Sequence, residues 1–150
     1  MLALDTLGAV FALPIMLGVG TVAHEFAHGV VLRALGIPYD IEWFPDRDAS
    51  SFLNVSLFAT WATITPRVIP REIPVWGLRL SALAPLLLVT PLLFVFVGFL
   101  PDPLEANSTL YAVITVVWLG CALPSPQDFS LFWYAEQVID DYGGELPADR

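Results

Sequence analysis

Residues 7 to 32 are almost wholly apolar, and the exceptions among them decide what this chain can become. Thr21, His24, Glu25 and His28 are the only clearly polar members of that run. Ionisable groups set in hydrocarbon or protein interior must be neutralised or compensated, since an acidic residue at mid-helix costs about 2.5 to 3.5 kcal/mol on insertion scales. Such a cluster reads as a functional site. His24 and His28 are the only histidines, and their spacing of four puts them one helical turn apart on a single face, where two imidazoles can share a metal ion. Glu25 completes an H-E-x-x-H motif. Zinc on two imidazoles and one further ligand keeps a position open for water and lowers its pKa, and a neighbouring carboxylate takes the proton as that water attacks a carbonyl. The competing explanation is a hydrogen-bonded structural cluster that holds no metal.

The rest of the composition fits a membrane setting. Hydrophobic residues make up 57% of the 150 and charged residues only 14%, which excludes an average soluble domain and predicts an all-α integral membrane protein of one compact domain. The single cysteine, Cys121, excludes an internal disulfide and a cysteine-rich zinc site, so any metal must be held by His, Asp and Glu. Fifteen acidic residues against six arginines, with no lysine, give a net charge of -9. That surface repels nucleic acid and anionic headgroups, so nucleic acid is excluded as a partner. The acidity fits a source living in high salt, where dense carboxylates keep a protein hydrated, and fits equally a chance bias in a small set of loops.

Three spans are expected. The first covers about residues 4 to 34. It lacks the positive leading region of a secretory signal peptide, is too long for one, and should stop at Gly36 ahead of Pro38. Pro14 is expected to kink it, and Gly18, Gly20, Ala23 and Ala27 to let a neighbouring helix approach. The connection 37–73 is water-facing over Asp40 to Asp48, then rich in extended-structure formers from Phe52 to Thr65. A short β-hairpin or re-entrant segment over 52–65 fits it better than a spanning helix, with an amphipathic surface connector as the alternative. The second span, about 75–100, contains Pro85 and Pro91, read as packing kinks in preference to a gate. A third, 109–123, is short and interrupted at Pro124-Ser125-Pro126, and an amphipathic C-terminal helix over 127–141 comes after it, ended by Gly143-Gly144.

Charge sets an orientation. Arginines 33, 47, 67, 71 and 79 flank the connection between spans one and two, so that side should be cytoplasmic, with the 101–108 turn outside. His24 and His28 then lie in the inner half of the first span. A catalytic zinc needs a third protein ligand, and the extended pattern with a third histidine is excluded because Val31 and Ala34 occupy its positions. Asp128 is the one carboxylate that a break in an apolar span delivers to the depth of the motif. Ser125-Pro126-Gln127-Asp128 also fits a helix start, with Ser125 as N-cap and Asp128 as the carboxylate three residues on. Both readings of Asp128 stand on the residues alone.

In these features the chain resembles the site-2 protease family of intramembrane zinc metallopeptidases. The resemblance lies in H-E-x-x-H on a first core helix, followed two spans later by a proline-rich break and an aspartate, here Leu123-Pro124-Ser125-Pro126-Gln127-Asp128-Phe129. Phe129 stands where that family has glycine, and no asparagine precedes the prolines. The resemblance implies one zinc ion on His24, His28 and Asp128, Glu25 as catalytic base, and hydrolysis of membrane-embedded protein substrates by an enzyme reduced to its catalytic core. It also implies that an embedded hairpin, by analogy 52–65, pairs with the unwound substrate. Client choice would then fall to the lipid bilayer, to the 37–73 connection, or to a separate adaptor or second copy. A prokaryotic cell membrane, with the site toward the cytoplasm, is the expected location. Two other classes compete: a membrane protein that binds or carries metal without proteolysis, and a structural or assembly factor with a degenerate site.

Overall fold

A computed structural model describes residues 2–43, 62–103 and 108–144. The first helix, α1 (Leu2–Ala34), runs unbroken through Pro14. It stops where the sequence predicts. Gly36 takes a left-handed φ of 72°, which a residue with a Cβ adopts poorly. Its N–H donates to the Arg33 carbonyl at 3.1 Å and that of Ile37 to the Leu32 carbonyl at 2.9 Å, a Schellman closure sealed by the burial of Leu32 and Ile37 together.

The chain then forms β1 (Tyr39–Trp43), which pairs antiparallel with β2 (Ala62–Pro66), Ile41 facing Ile64. Of the expected hairpin over 52–65, residues 52–61 lie outside the described segments, and 62–65 pair with 40–43. The connection therefore carries a small two-stranded sheet. Gly29 seats this pair on α1, since a Cβ there would stand 2.9 Å from Ile64 Cδ1 and 3.1 Å from the Tyr39 hydroxyl. A second, two-residue parallel pair joins β3 (Ile69–Pro70) to β4 (Gly143–Gly144), and Arg71 Nε donates to the Gly143 carbonyl at 3.0 Å.

The expected second span is broken. It comprises α2 (Val75–Ala82), a 3-10 stretch (Ala84–Val89) and α3 (Thr90–Phe96), with a bend of 47° between α2 and the Ala84–Phe96 segment. Pro85 and Pro91 open the second and third pieces, where a proline's missing N–H is tolerated. The Leu87 carbonyl, whose helical donor Pro91 lacks, accepts from the Thr90 hydroxyl, and Trp118 Nε1–H donates to the Leu88 carbonyl at 2.8 Å.

The last two helices, α4 (Thr109–Ala122) and α5 (Pro126–Tyr142), are separated by Leu123 to Ser125. Helix α4 runs parallel to α1. Asp5 accepts from the Ser108 hydroxyl and the Thr109 N–H near the start of both helices, and Gly20 meets Cys121 farther along. The two helices fall close to the expected 109–123 and 127–141, and taken together Thr109–Tyr142 is apolar and long enough to cross a membrane as one segment. Among the described residues two helices, this one and Leu4–Ala34, are long and apolar enough to cross, and a third crosses if the bent 75–96 pair counts as one.

Small residues make up much of the interior, and many large apolar ones lie outside. The interior holds Ala9, Ala27, Ala82, Ala84, Ala122 and Ala135, while Phe96 and Phe99 expose 89% and 79% of their surface. Small residues inside allow backbones to approach, and large apolar ones outside suit hydrocarbon contact. A larger cluster of Leu32, Ile37, Leu78, Ala135 and Ile139 joins α1, α2 and α5 at the end that bears the strands. The candidate site lies between that cluster and the Gly20–Cys121 crossing.

Candidate metal centre

His24 is buried and His28 largely so, and helical geometry brings their rings 5.0 Å apart, centroid to centroid, in an edge-to-face arrangement. Each ring is held by a backbone carbonyl. His24 Nδ1 lies 2.7 Å from the Cys121 carbonyl of α4, and His28 Nδ1 lies 2.7 Å from the Ser81 carbonyl of α2. A carbonyl only accepts, so in both rings Nδ1 carries the proton. In the neutral ring Nε2 then presents a lone pair, as in histidines that ligate metal.

Both lone pairs face Asp128. Its Oδ2 is 3.3 Å from His24 Nε2, its Oδ1 is 3.1 Å from His28 Nε2, and the two Nε2 atoms are 3.3 Å apart. The carboxylate is also a capping-box member, because the Ser125 N–H donates to Oδ2 at 2.6 Å and the Asp128 N–H donates to Ser125 Oγ at 3.2 Å. The two sequence readings of Asp128 thus describe one side chain placed for both tasks. A carboxylate has about four lone-pair sites, enough for a cap and for two further contacts.

The donor set suits a divalent cation. Two neutral Nε2 atoms and a carboxylate are all acceptors, and at this separation in a water-poor interior they repel one another unless a cation or a proton stands among them. Tetrahedral zinc with bonds of about 2.0 to 2.1 Å requires ligand atoms about 3.3 to 3.4 Å apart. The Nε2–Nε2 separation of 3.3 Å fits that requirement, and with one ligand atom taken from each residue the three atoms all lie within 4.8 Å of one another. Among the described residues His24, His28 and Asp128 form the one group of His, Cys, Asp and Glu able to share an ion.

Glu25 stands outside that triad. Its Oε2 accepts the Ile64 N–H of β2 at 3.1 Å, and it remains within electrostatic reach of both imidazoles and Asp128. The register explains why this amide is available. Arg67 N–H donates to the Pro38 carbonyl at 2.9 Å, so bonded pairs along β1 and β2 alternate from there and Ile64 falls on a non-bonded position, its N–H pointing away from β1.

Of the four residues singled out from the sequence, His24, His28 and Asp128 come together, and Glu25 stands beside His24 on α1 with its carboxylate bonded to Ile64. Sequence reasoning missed three of their partners: the carbonyls of Ser81 and Cys121 and the amide of Ile64. The signal for the carbonyls was present in Pro85 and Pro124, whereas nothing in the residue pattern marks Ile64. No family model matches this chain, and neither a curated protein nor a solved structure matches it.

Proposed function

We propose that this protein is an intramembrane zinc metalloendopeptidase of site-2 protease type, which hydrolyses peptide bonds of membrane-embedded protein substrates. The observation that carries this reading is the convergence of three acceptors from two separate helices beside a glutamate. His24, His28 and Asp128 are the residues that would hold zinc, and Nδ1–H of each imidazole stays engaged with a backbone carbonyl so that Nε2 remains a ligand. Bound zinc supplies Lewis-acid polarisation of a peptide carbonyl and acidifies water at neutral pH. Glu25 removes a proton from the attacking water and returns it to the leaving amine, its Oε2 held in place by the Ile64 amide. The substrate must reach this point locally unwound, because a helical amide is already hydrogen-bonded. The arginine distribution supports a cytoplasm-facing site.

Glu25 separates this reading from a metal carrier, which needs no base next to its ligands. Glu25→Gln is expected to abolish cleavage of a reconstituted transmembrane substrate while leaving zinc content within a few-fold of wild type. Undiminished cleavage by that variant refutes the assignment of the base. Tight zinc binding by a wild type that cleaves no helical substrate favours the carrier.

A further inference from the structure

The two carbonyls that grip the imidazoles share a cause. In an α-helix the carbonyl of residue i belongs to the N–H of residue i+4. For Ser81 that donor is residue 85, which is proline. For Cys121 it is Ser125, whose N–H is given to Asp128 Oδ2, and the alternative 3-10 donor, residue 124, is again proline. Each helix therefore ends with a carbonyl lacking its ordinary i+4 donor, and each of these carbonyls lies 2.7 Å from a histidine Nδ1, the Ser81 carbonyl also being reached by the Leu83 N–H.

We infer that Pro85 and Pro124 are positioning residues of the metal centre: each withholds a backbone N–H, and the carbonyl so released sets the tautomer and aim of one imidazole. This rests on the metal-holding reading above for its purpose, but its geometry is independent of it. The contrast with Pro91 is informative. The carbonyl that Pro91 deprives, Leu87, accepts from the N–H and the hydroxyl of Thr90, the first residue of the next piece of the same span, and gives nothing to the imidazoles. All three prolines break a helix, yet only two of them release carbonyls to the imidazoles. At the α4–α5 break the arrangement closes on itself. Asp128 draws the Ser125 N–H away from Cys121, Cys121 then holds His24, and His24 turns its other nitrogen back to Asp128.

The test pairs Pro85→Ala with Pro91→Ala in the full chain in detergent. Zinc affinity is measured by chelator competition, and the histidine tautomers of metal-free protein are read from ¹⁵N imidazole shifts at alkaline pH. Restoring an N–H at residue 85 offers Ser81 its helical donor, so Pro85→Ala should weaken zinc binding by about 10- to 100-fold, the range for losing an outer partner of a ligand. It should also move the His28 signal away from the pure Nδ1–H form. Pro91→Ala should change neither. Pro124→Ala, at a half-buried position outside any helix, asks the same question of His24 and stands in if Pro85→Ala fails to fold. Wild-type affinity and unchanged tautomers in both Pro85→Ala and Pro124→Ala overturn the inference. A tautomer change in a protein whose wild type binds no zinc supports the positioning role and refutes the metal reading instead.

Discussion

Asp128 caps α5 and is placed to hold an ion, and substitutions can separate the two roles. Replacing Ser125 by Ala removes the oxygen that accepts the Asp128 N–H at 3.2 Å but leaves the 2.6 Å bond from the Ser125 N–H to the carboxylate. Loss of an N-cap hydroxyl costs about 1 kcal/mol, roughly a five-fold shift in the unfolding equilibrium. The zinc ligands are untouched, so affinity should fall by no more than about 10-fold, the lower end of the outer-partner range. Asp128→Asn does the reverse. Its amide oxygen still accepts the Ser125 N–H, and its NH₂ donates to an imidazole lone pair, so the metal-free protein should be as stable as wild type or more so. The anionic ligand is gone, and zinc affinity should fall by more than about 100-fold, beyond the effect of an outer partner. The assay is thermal unfolding in excess chelator, set beside zinc competition titrations for both variants. The expected pattern is crossed: Ser125→Ala loses stability and keeps zinc, whereas Asp128→Asn keeps stability and loses zinc. If Asp128→Asn binds zinc within a few-fold of wild type, the carboxylate serves only the helix start and the reasoning from converging acceptors fails.

Geometry away from the triad gives two further outcomes. A Cβ on Gly20 would stand 2.6 Å from Cys121 Sγ and 2.9 Å from its Cβ, so Gly20→Ala must push α1 and α4 apart. A cost of about 1 to 3 kcal/mol is expected, the usual range for overpacking, with partial recovery in Gly20→Ala/Cys121→Gly; unfolding of the single variant at the wild-type temperature would count against the close crossing. At the strand pair, Arg67 Nε donates to Asp40 Oδ2 at 2.7 Å and holds the Asp40 carboxyl below the usual carboxylate range. The folded-state value lies below the unfolded one, so this pair stabilises the strands above the unfolded pKa and ceases to do so as pH falls through the folded one. Carboxyl ¹³C titration of Asp40 should give a lower midpoint in wild type than in Arg67→Ala, and equal midpoints would show that the pair is not formed in solution.

Much of the site was legible because its signals are local. The i, i+4 spacing of His24 and His28, with Glu25 between them, needs only helical periodicity, and the stop at Gly36 needs only a glycine followed by a proline. Asp128 was ambiguous for a physical reason: a capping box and a metal ligand use different lone pairs of one carboxylate, so no residue pattern separates them. The strand Tyr39–Trp43 was hidden by Asp40 and Glu42, which mark the stretch as water-facing. The alternation was nevertheless there, with Tyr39 and Ile41 half-buried and Asp40 and Glu42 exposed. The proline-rich break was legible as the end of one helix and the start of the next, α4 and α5, whereas the pattern alone does not tell whether the two together make one crossing. The Ile64 amide depends on strand register, a long-range property.

The interior of alanine and glycine has a consequence for how the centre comes into being. Lipid tails are as apolar as the side chains they would displace, so individually inserted spans gain little from the hydrophobic effect when they associate. The candidate ligands reside on α1 and α5, while the carbonyls that hold the two imidazoles reside on α2 and α4. A newly inserted polypeptide whose spans still diffuse apart therefore possesses the letters of the motif and none of its chemistry. On the proposed function, loading with an ion would report that the bundle has assembled, and hydrolytic capacity would be withheld from the membrane until it had.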